Sequence, residues 1–424
     1  MVATRSAGVP TRRQINRVMG VYGCFQFLSN FGLGVFTLLF NLYLRKLGLR
    51  EDFIGLFNAL STLSWAAGAL VVGPLSRRIG ARAILIGGVY LFVAVASLQV
   101  IVTAPLALLS IAVCLGLSSA AMTVPSTPYV FTLIPPERRT QGQALVFSAI
   151  ALSTAAGAFM GGALPALLGG DSLHNFRVTM GISVALTLGG IVPLYMLRSA
   201  REQPDAPNRG ALLPFSHVEK RQCRRDNLAF ALVGGLMALG TGMVIPFYNV
   251  YLASLGASPG AVGALFSVSS LVGGVISLGA PLIARRLPPL PAVAALRSIS
   301  VPMALVVGLG LTGVPFAGAL YAIRTIGTSL SWPIESSTIG NIIEPRNRVS
   351  LFGMRSAAWN GGLAVSSWAG GAIIVHYGYR PVHLLYVLAY AAAMGLFLAY
   401  WPRRVRRAHE ERAALAESAA LQPA

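Results

Sequence analysis

Charge is what this sequence has least of. Lys, Arg, Asp and Glu make up 11% of its 424 residues, against about 25% in a soluble domain. With 55% hydrophobic residues and a mean hydropathy of +0.69, too little polar surface is left for a water-soluble fold, which excludes an ordinary soluble enzyme. Acids are scarcest, 13 against 33 Lys and Arg, for a formal charge of +20. Lysine is almost missing: Lys46 and Lys220 stand alone among arginines, a bias we read as genome composition. The three cysteines, Cys24, Cys114 and Cys223, form no CxxC pair and no metal spacing, so neither a disulfide framework nor a zinc site is implied. No GxxxxGK[ST] loop occurs, which excludes direct use of ATP. Paired carboxylates, an HExxH or a nucleophile–base set are also missing, which disfavours a membrane enzyme. No cofactor or metal is expected.

What is present is a series of long apolar runs. They predict spans at 18–44, 53–75, 83–103, 106–134, 142–168 and 176–197, and, after a basic linker, at 228–252, 260–283, 292–312, 315–343, 350–375 and 382–401. Each is long enough to cross a bilayer as a helix, and internal Gly and Pro do not argue against that. The fold class expected is all-α membrane protein with twelve transmembrane helices. The first run has no small-residue cleavage site and reads as a retained span, not a signal peptide. The basic residues fall in gaps between the runs, as topology signals do, and not along a groove for nucleic acid. With the N-terminus inside, the inner segments hold 25 Lys and Arg and the outer ones 5, so both ends are expected in the cytoplasm. The expected domains are a first six-helix bundle at 1–197, a cytoplasmic linker at 198–226, a second bundle at 227–402 and a tail at 403–424. The tail suggests a short amphipathic helix lying on the membrane.

The halves repeat. At an offset of 208, Asn41-x-Tyr43-Leu44-x-x-Leu47-Gly48 and Gly55 fall on Asn249-x-Tyr251-Leu252-x-x-Leu255-Gly256 and Gly263. Arg77 and Arg78 fall on Arg285 and Arg286, and Pro125 on Pro333. At 209, Gly161-Gly162-Ala163 falls on Gly370-Gly371-Ala372. Parallel repeats of six spans mark one transporter architecture.

Over nearly its whole length the chain resembles the major facilitator superfamily. Gly73-Pro-Leu75-Ser-Arg77-Arg78-Ile-Gly80-Ala-Arg82 is similar to the family's loop between spans 2 and 3, Gly-x-Leu-x-Asp-Arg-x-Gly-Arg-Arg, with Arg77 where the family has Asp. Pro136-Glu137-Arg138-Arg139 resembles the loop between spans 4 and 5. Phe176-Arg177 and Tyr379-Arg380 resemble the aromatic–Arg starts of spans 6 and 12. Gly157-x-x-x-Gly161-Gly162 is similar to a span-5 motif of family antiporters, without its Gly-Pro pair. The resemblance implies two bundles related by a pseudo-twofold axis, a cavity lined by spans 1, 4, 7 and 10, and secondary transport of a small molecule. It also implies a conformational gating role for Arg77, Arg78, Glu137, Arg138 and Arg355.

The duplication is a control: polar residues found in one half only need an explanation beyond architecture. Glu335 is the one acid deep in a span, and its repeat partner is Thr127. An ionised carboxylate in hydrocarbon costs several kcal/mol, so Glu335 reads as a proton-binding site, or else as the partner of an arginine holding helices together. Arg324 lies three turns earlier, about 16 Å along the same face, with Thr328, Ser331 and Trp332 nearby. It could bind an anionic group or snorkel to the outer interface. Gln26, Asn30 and Thr37 in span 1 and Asn58 in span 2 form polar stripes suited to substrate or to core hydrogen bonding. Arg297 and Arg355 read as snorkelling, with pairing of Arg355 to Glu137 or Glu344 the alternative.

These observations lead us to expect a proton-coupled transporter of a small amphipathic solute. It should be monomeric, in a bacterial cytoplasmic membrane, with substrate, protons and lipid as its partners. Export is the first expectation, because the polar site reads as one-sided and the second half as an apolar wall. Uptake of an organic anion through Arg324 is the second, and a non-transporting scaffold or receptor the third.

Overall fold

A computed structural model describes residues 12–133, 139–197, 217–277, 279, 286–311, 313–343 and 345–420. Among them it is helical with no strand, and each predicted span is occupied by one helix or by two in succession. Spans 1, 2 and 3 are Arg12–Lys46, Glu51–Ile79 and Ala81–Ile101. Span 5 is Arg139–Leu167, span 8 Pro259–Ser277, span 10 Val314–Ile342 and span 11 Pro345–Tyr377. Others are broken. Span 4 is Pro105–Thr123 then Ser126–Leu133, span 6 Leu173–Gly189 then Ile191–Met196, and span 9 Pro289–Ser298 then Val301–Gly308. Span 7 runs His217–Val244 and resumes as Tyr248–Ser254. The two repeat prolines differ in effect. Span 4 breaks at Val124–Pro125, while span 10 runs through Pro333 as one helix.

Ten of these helices are long and apolar enough to cross a membrane. The two long helices outside that set are spans 10 and 11, which carry Arg324, Glu335 and Arg355. The chain is therefore a multi-pass membrane protein whose two most polar spans carry these intramembrane charges.

The tail corrects one expectation. It is not a separate helix on the membrane surface, because span 12 continues through Pro402 as one helix, Tyr379–Ala420. Asp226 at the start of span 7 fastens it. That buried carboxylate accepts from Tyr400 Oη at 2.6 Å, from Gln222 Nε2 at 2.8 Å and from Arg404 Nε at 3.3 Å.

Tertiary contacts group the chain into two compact units. One comprises Met1–Gly48, Leu63–Pro204 and Ser258–Ser270; the other comprises Leu49–Thr62, Asp205–Ala257 and Leu271–Ala424. The start of span 2 thus packs in the second unit and the start of span 8 in the first.

The repeat is visible in the packing inside each unit. Gly48 and Gly256, 208 residues apart, end spans 1 and 7 with φ of +85° and +93°, the left-handed stop that glycine adopts without penalty. Gly34 of span 1 lies so close to span 5 that an added Cβ would come within 2.6 Å of Thr154 O. A Cβ added at Gly242 of span 7 would come within the same 2.6 Å of Leu363 O of span 11. A Cβ added at Gly55 would collide with Ser367 O, and one added at Gly263 would come within 2.6 Å of Ala158 O. Small residues let helix backbones approach in this way where lipid offers no hydrophobic drive.

Candidate functional site

The second unit buries an ion cluster. Glu335 of span 10 is fully buried. Its Oε2 accepts from Arg297 Nη2 of span 9 and lies 3.1 Å from Arg355 Nη1 of span 11. Arg297 is 4% and Arg355 2% exposed. Arg297 Nη1 faces Met237 Sδ of span 7. The Arg355 guanidinium lies between two rings, 4.4 Å from the centroid of Phe230 and 4.5 Å from that of Trp332, close enough for cation–π attraction on both faces. Space for it comes from Gly234, where an added Cβ would sit 2.9 Å from Arg355 Cγ.

Further along span 10, Arg324 Nη2 donates to Thr241 Oγ1 at 3.5 Å. Thr241 Oγ1 and Tyr390 Oη are 3.0 Å apart, the Tyr386 and Tyr390 rings stack at 4.2 Å, and Tyr386 Oη lies 2.7 Å from Ser300 Oγ. Arg324 is therefore tied to a buried, tyrosine-walled network.

The duplication shows that the fold does not require the triad. At the offset of 208 the repeat partners of Arg297 and Glu335 are Val89 and Thr127, and at 209 that of Arg355 is Val146. Val89 and Val146 belong to one apolar core cluster of the first unit, with Tyr22, Leu85 and Tyr129. Gly234 corresponds to Gln26, so a small–large pair in one half replaces a large–small pair in the other. Two arginines stand where the sister bundle places aliphatic core valines, and the carboxylate between them stands where it has a threonine.

The first unit holds a cavity of about 110 Å³ lined by Gln26, Asn30, Ser119, Thr123 and Ser126, with Phe25, Phe92 and Met122 as its apolar wall. Ser126 organises its polar end: Gln26 Nε2 donates to Ser126 Oγ at 2.8 Å, and Tyr22 Oη to Ser126 O at 2.8 Å. Asn30 is tied to its own helix through Gln26 O at 2.8 Å.

A family model described as Major Facilitator Superfamily matches residues 22–334 and again residues 230–423. The chain belongs to the major facilitator superfamily. The two matches start 208 residues apart, which is the offset of the internal repeat. Solved structures of this fold include a mutant form of the nucleoside transporter NupG, 16% identical, covering 91% of this chain and all of that one at a TM-score of 0.72. A D-xylose–proton symporter is 13% identical, over 91% of this chain and 97% of that one, also at 0.72. The human organic anion transporter MFSD10 is 17% identical, over 90% of this chain and 99% of that one, at 0.60. No curated protein matches the chain by sequence.

Within this facilitator the expected site residues separate. Glu335 and Arg355 come together, and Arg297 joins them, which corrects the snorkelling expected of both arginines. Glu344, the other partner expected of Arg355 besides Glu137, lies outside the described residues. Gln26 and Asn30 share the cavity of the first unit. Thr37 is exposed and bonds Leu33 O of its own helix. Asn58 belongs to the second unit and bonds Ile54 O, so neither joins that cavity. Ser331 is buried and bonds Thr328 O at 3.2 Å. Arg78 is exposed. Glu137, Arg138 and the side chain of Arg77 also lie outside the described residues. Arg82 from the same loop instead caps span 6, donating to Leu194 O at 3.1 Å and Tyr195 O at 2.8 Å.

Sequence reasoning missed the role of Arg297, although the signal was there: it is a charged residue inside a span whose repeat partner is valine. Polarity is not confined to the first half either, since the second unit carries the buried Arg297, Glu335 and Arg355.

Proposed function

We propose that this chain is a proton-coupled secondary transporter of a small organic solute, working by alternating access in a bacterial cytoplasmic membrane with both ends in the cytoplasm. The observation that carries the reading is Glu335: a fully buried carboxylate bound by two arginines, where the sister bundle has Thr127 and two core valines, Val89 and Val146. A buried ion pair contributes little to stability compared with apolar residues of the same volume, so its presence here supports a working role. A proton on Glu335 removes the charge that holds Arg297 and Arg355, and so links proton binding to the packing of spans 9, 10 and 11. The expectation of export rests on an apolar second half, and the buried charges there take away that support. The direction follows from the sign of the coupling.

The test uses purified protein in liposomes. A thermal-shift screen against a broad compound panel selects a solute, because a ligand of the folded state raises the melting temperature. An imposed pH gradient should drive its accumulation, and Glu335→Gln should abolish accumulation while leaving solute exchange across the membrane. Unchanged gradient-driven accumulation in Glu335→Gln removes the proton role.

A further inference from the structure

The buried charges of the second unit do not balance. Glu335 faces Arg297 from span 9 and Arg355 from span 11. Arg324 stands three turns away on the same helix, and Tyr390 of span 12 faces both Arg297 and Arg324. Span 7 contributes Met237 and Gly234 to the surroundings, neither of them titratable. Among the described residues, one carboxylate thus answers two guanidinium groups in contact with it. Nε of Arg297 and Nε, Nη1 and Nη2 of Arg355 have no hydrogen-bond partner among the described residues, and on the acid side neither has Oε1 of Glu335, so four donors stand against one acceptor. Leaving such donors buried and unmet is costly, and the repeat shows that this cost is not imposed by the fold.

The unmet donors also have a shape. A guanidinium presents a planar fork that matches a carboxylate, and this one is clamped between the rings of Phe230 and Trp332. Trp332 is 48% exposed, whereas Phe230, Arg297, Glu335 and Arg355 are buried. The open side of the cluster is therefore aromatic, with cations behind it.

We propose that Arg355 and Arg297 form the binding site for a small aromatic carboxylate. This anion replaces Glu335 on the guanidinium groups, packs its ring against Trp332, and leaves Glu335 as the protonated acid. The inference rests on the proton role of Glu335 and names the substrate class of that same site. The balance is simple: one proton passes from water to Glu335, one anion passes to the arginines, and the net charge of the cluster is unchanged. Substrate and proton bind together, so the transport is cotransport.

Benzoate is the probe and benzamide its neutral counterpart, measured by thermal shift on the purified full-length protein. Benzoate should raise the melting temperature and benzamide should not. Benzoate affinity should rise about tenfold for each pH unit lowered wherever one proton is taken up per anion bound. Glu335→Gln should bind benzoate at least as tightly as the wild type at its best pH, without pH dependence. Arg355→Lys keeps the charge but not the planar fork, and should bind at least about tenfold more weakly. No benzoate binding, equal binding of benzamide, wild-type affinity in Arg355→Lys, or loss of binding in a folded Glu335→Gln would each overturn the site. Should Glu335→Gln not fold, the pH dependence of the wild type decides. Arginine-dependent benzoate binding that is flat in pH would retain the anion site and remove the proton role of Glu335. Gradient-driven transport that depends on Glu335 without any benzoate binding would do the reverse.

Discussion

At the residue scale the triad makes a quantitative expectation. Removing one member of a buried ion cluster strands the others in low dielectric, which costs about 3–5 kcal/mol. Glu335→Ala should therefore destabilise strongly, because Arg297 and Arg355 lose the acceptor they share. Replacing all three by the residue types of the sister core, Arg297→Val with Glu335→Thr and Arg355→Val, removes every buried charge of the triad, and such replacements are often neutral or stabilising by about 1–4 kcal/mol. Thermal unfolding in detergent checks the order: the triple variant should melt above Glu335→Ala and transport nothing. If the triple variant is the less stable of the two, the cluster is architectural. The residues of this site were only half legible in the sequence. Glu335 stands out as the one acid deep in a span. Its partners do not, because an arginine within a turn or two of a span end reads equally well as snorkelling, and only tertiary packing brings residues 297, 335 and 355 to one point.

At the element scale the glycines of span 7 separate two roles on one helix. Gly235 has free space, its would-be Cβ no nearer than 3.7 Å to Ala358, whereas Gly242 would meet Ser366 Oγ at 2.1 Å and Leu363 O at 2.6 Å. Gly235→Ala should stabilise by about 0.5–1 kcal/mol through helix propensity alone. Gly242→Ala should cost about 1–3 kcal/mol, because span 11 must move away from span 7. Melting temperatures that shift in the same direction for both would show that the crossing is looser than described. A second element-scale expectation concerns the long last helix. Asp226→Asn removes the charge that Arg404 and Tyr400 meet, so it should expose the chain beyond Trp401 to faster limited proteolysis with transport little changed. The twelve spans were legible because hydrophobic run length decides them, although the helices His217–Val244 and Tyr379–Ala420 run well past the apolar runs at 228–252 and 382–401. Their breaks were not: Pro125 interrupts span 4 while Pro333 leaves span 10 continuous, and the same residue type cannot announce both outcomes. Nor could the tail be foreseen, since the buried acceptor that holds Arg404 lies 178 residues earlier in the chain.

At the scale of the whole molecule the duplication does most of the explaining, because it lets one half act as the reference state of the other. The offset of 208 predicts matched positions, and the structure returns matched crossings, with Gly34 and Gly242 against the backbones of spans 5 and 11. What the repeat does not share is then where chemistry is concentrated: hydroxyls and amides around Ser126 in one unit, three arginines and Glu335 in the other. Cotransport at that charged cluster has an electrical consequence. A proton carried with a monovalent carboxylate moves no net charge, so its distribution should ignore the membrane potential. An anion moving alone would instead feel about 2.3 kcal/mol for each 100 mV, equivalent to about a fiftyfold accumulation ratio, since each 1.36 kcal/mol is tenfold. Proteoliposomes loaded with potassium and treated with valinomycin provide the potential, and radiolabelled benzoate reports the distribution, with Arg355→Lys vesicles as the control for passive leak. Protein-dependent accumulation should follow the pH gradient, about tenfold per unit, and should not change when the potential is imposed or reversed. An accumulation that tracks the potential would mean that benzoate crosses without its proton, and would separate Glu335 from the transport cycle.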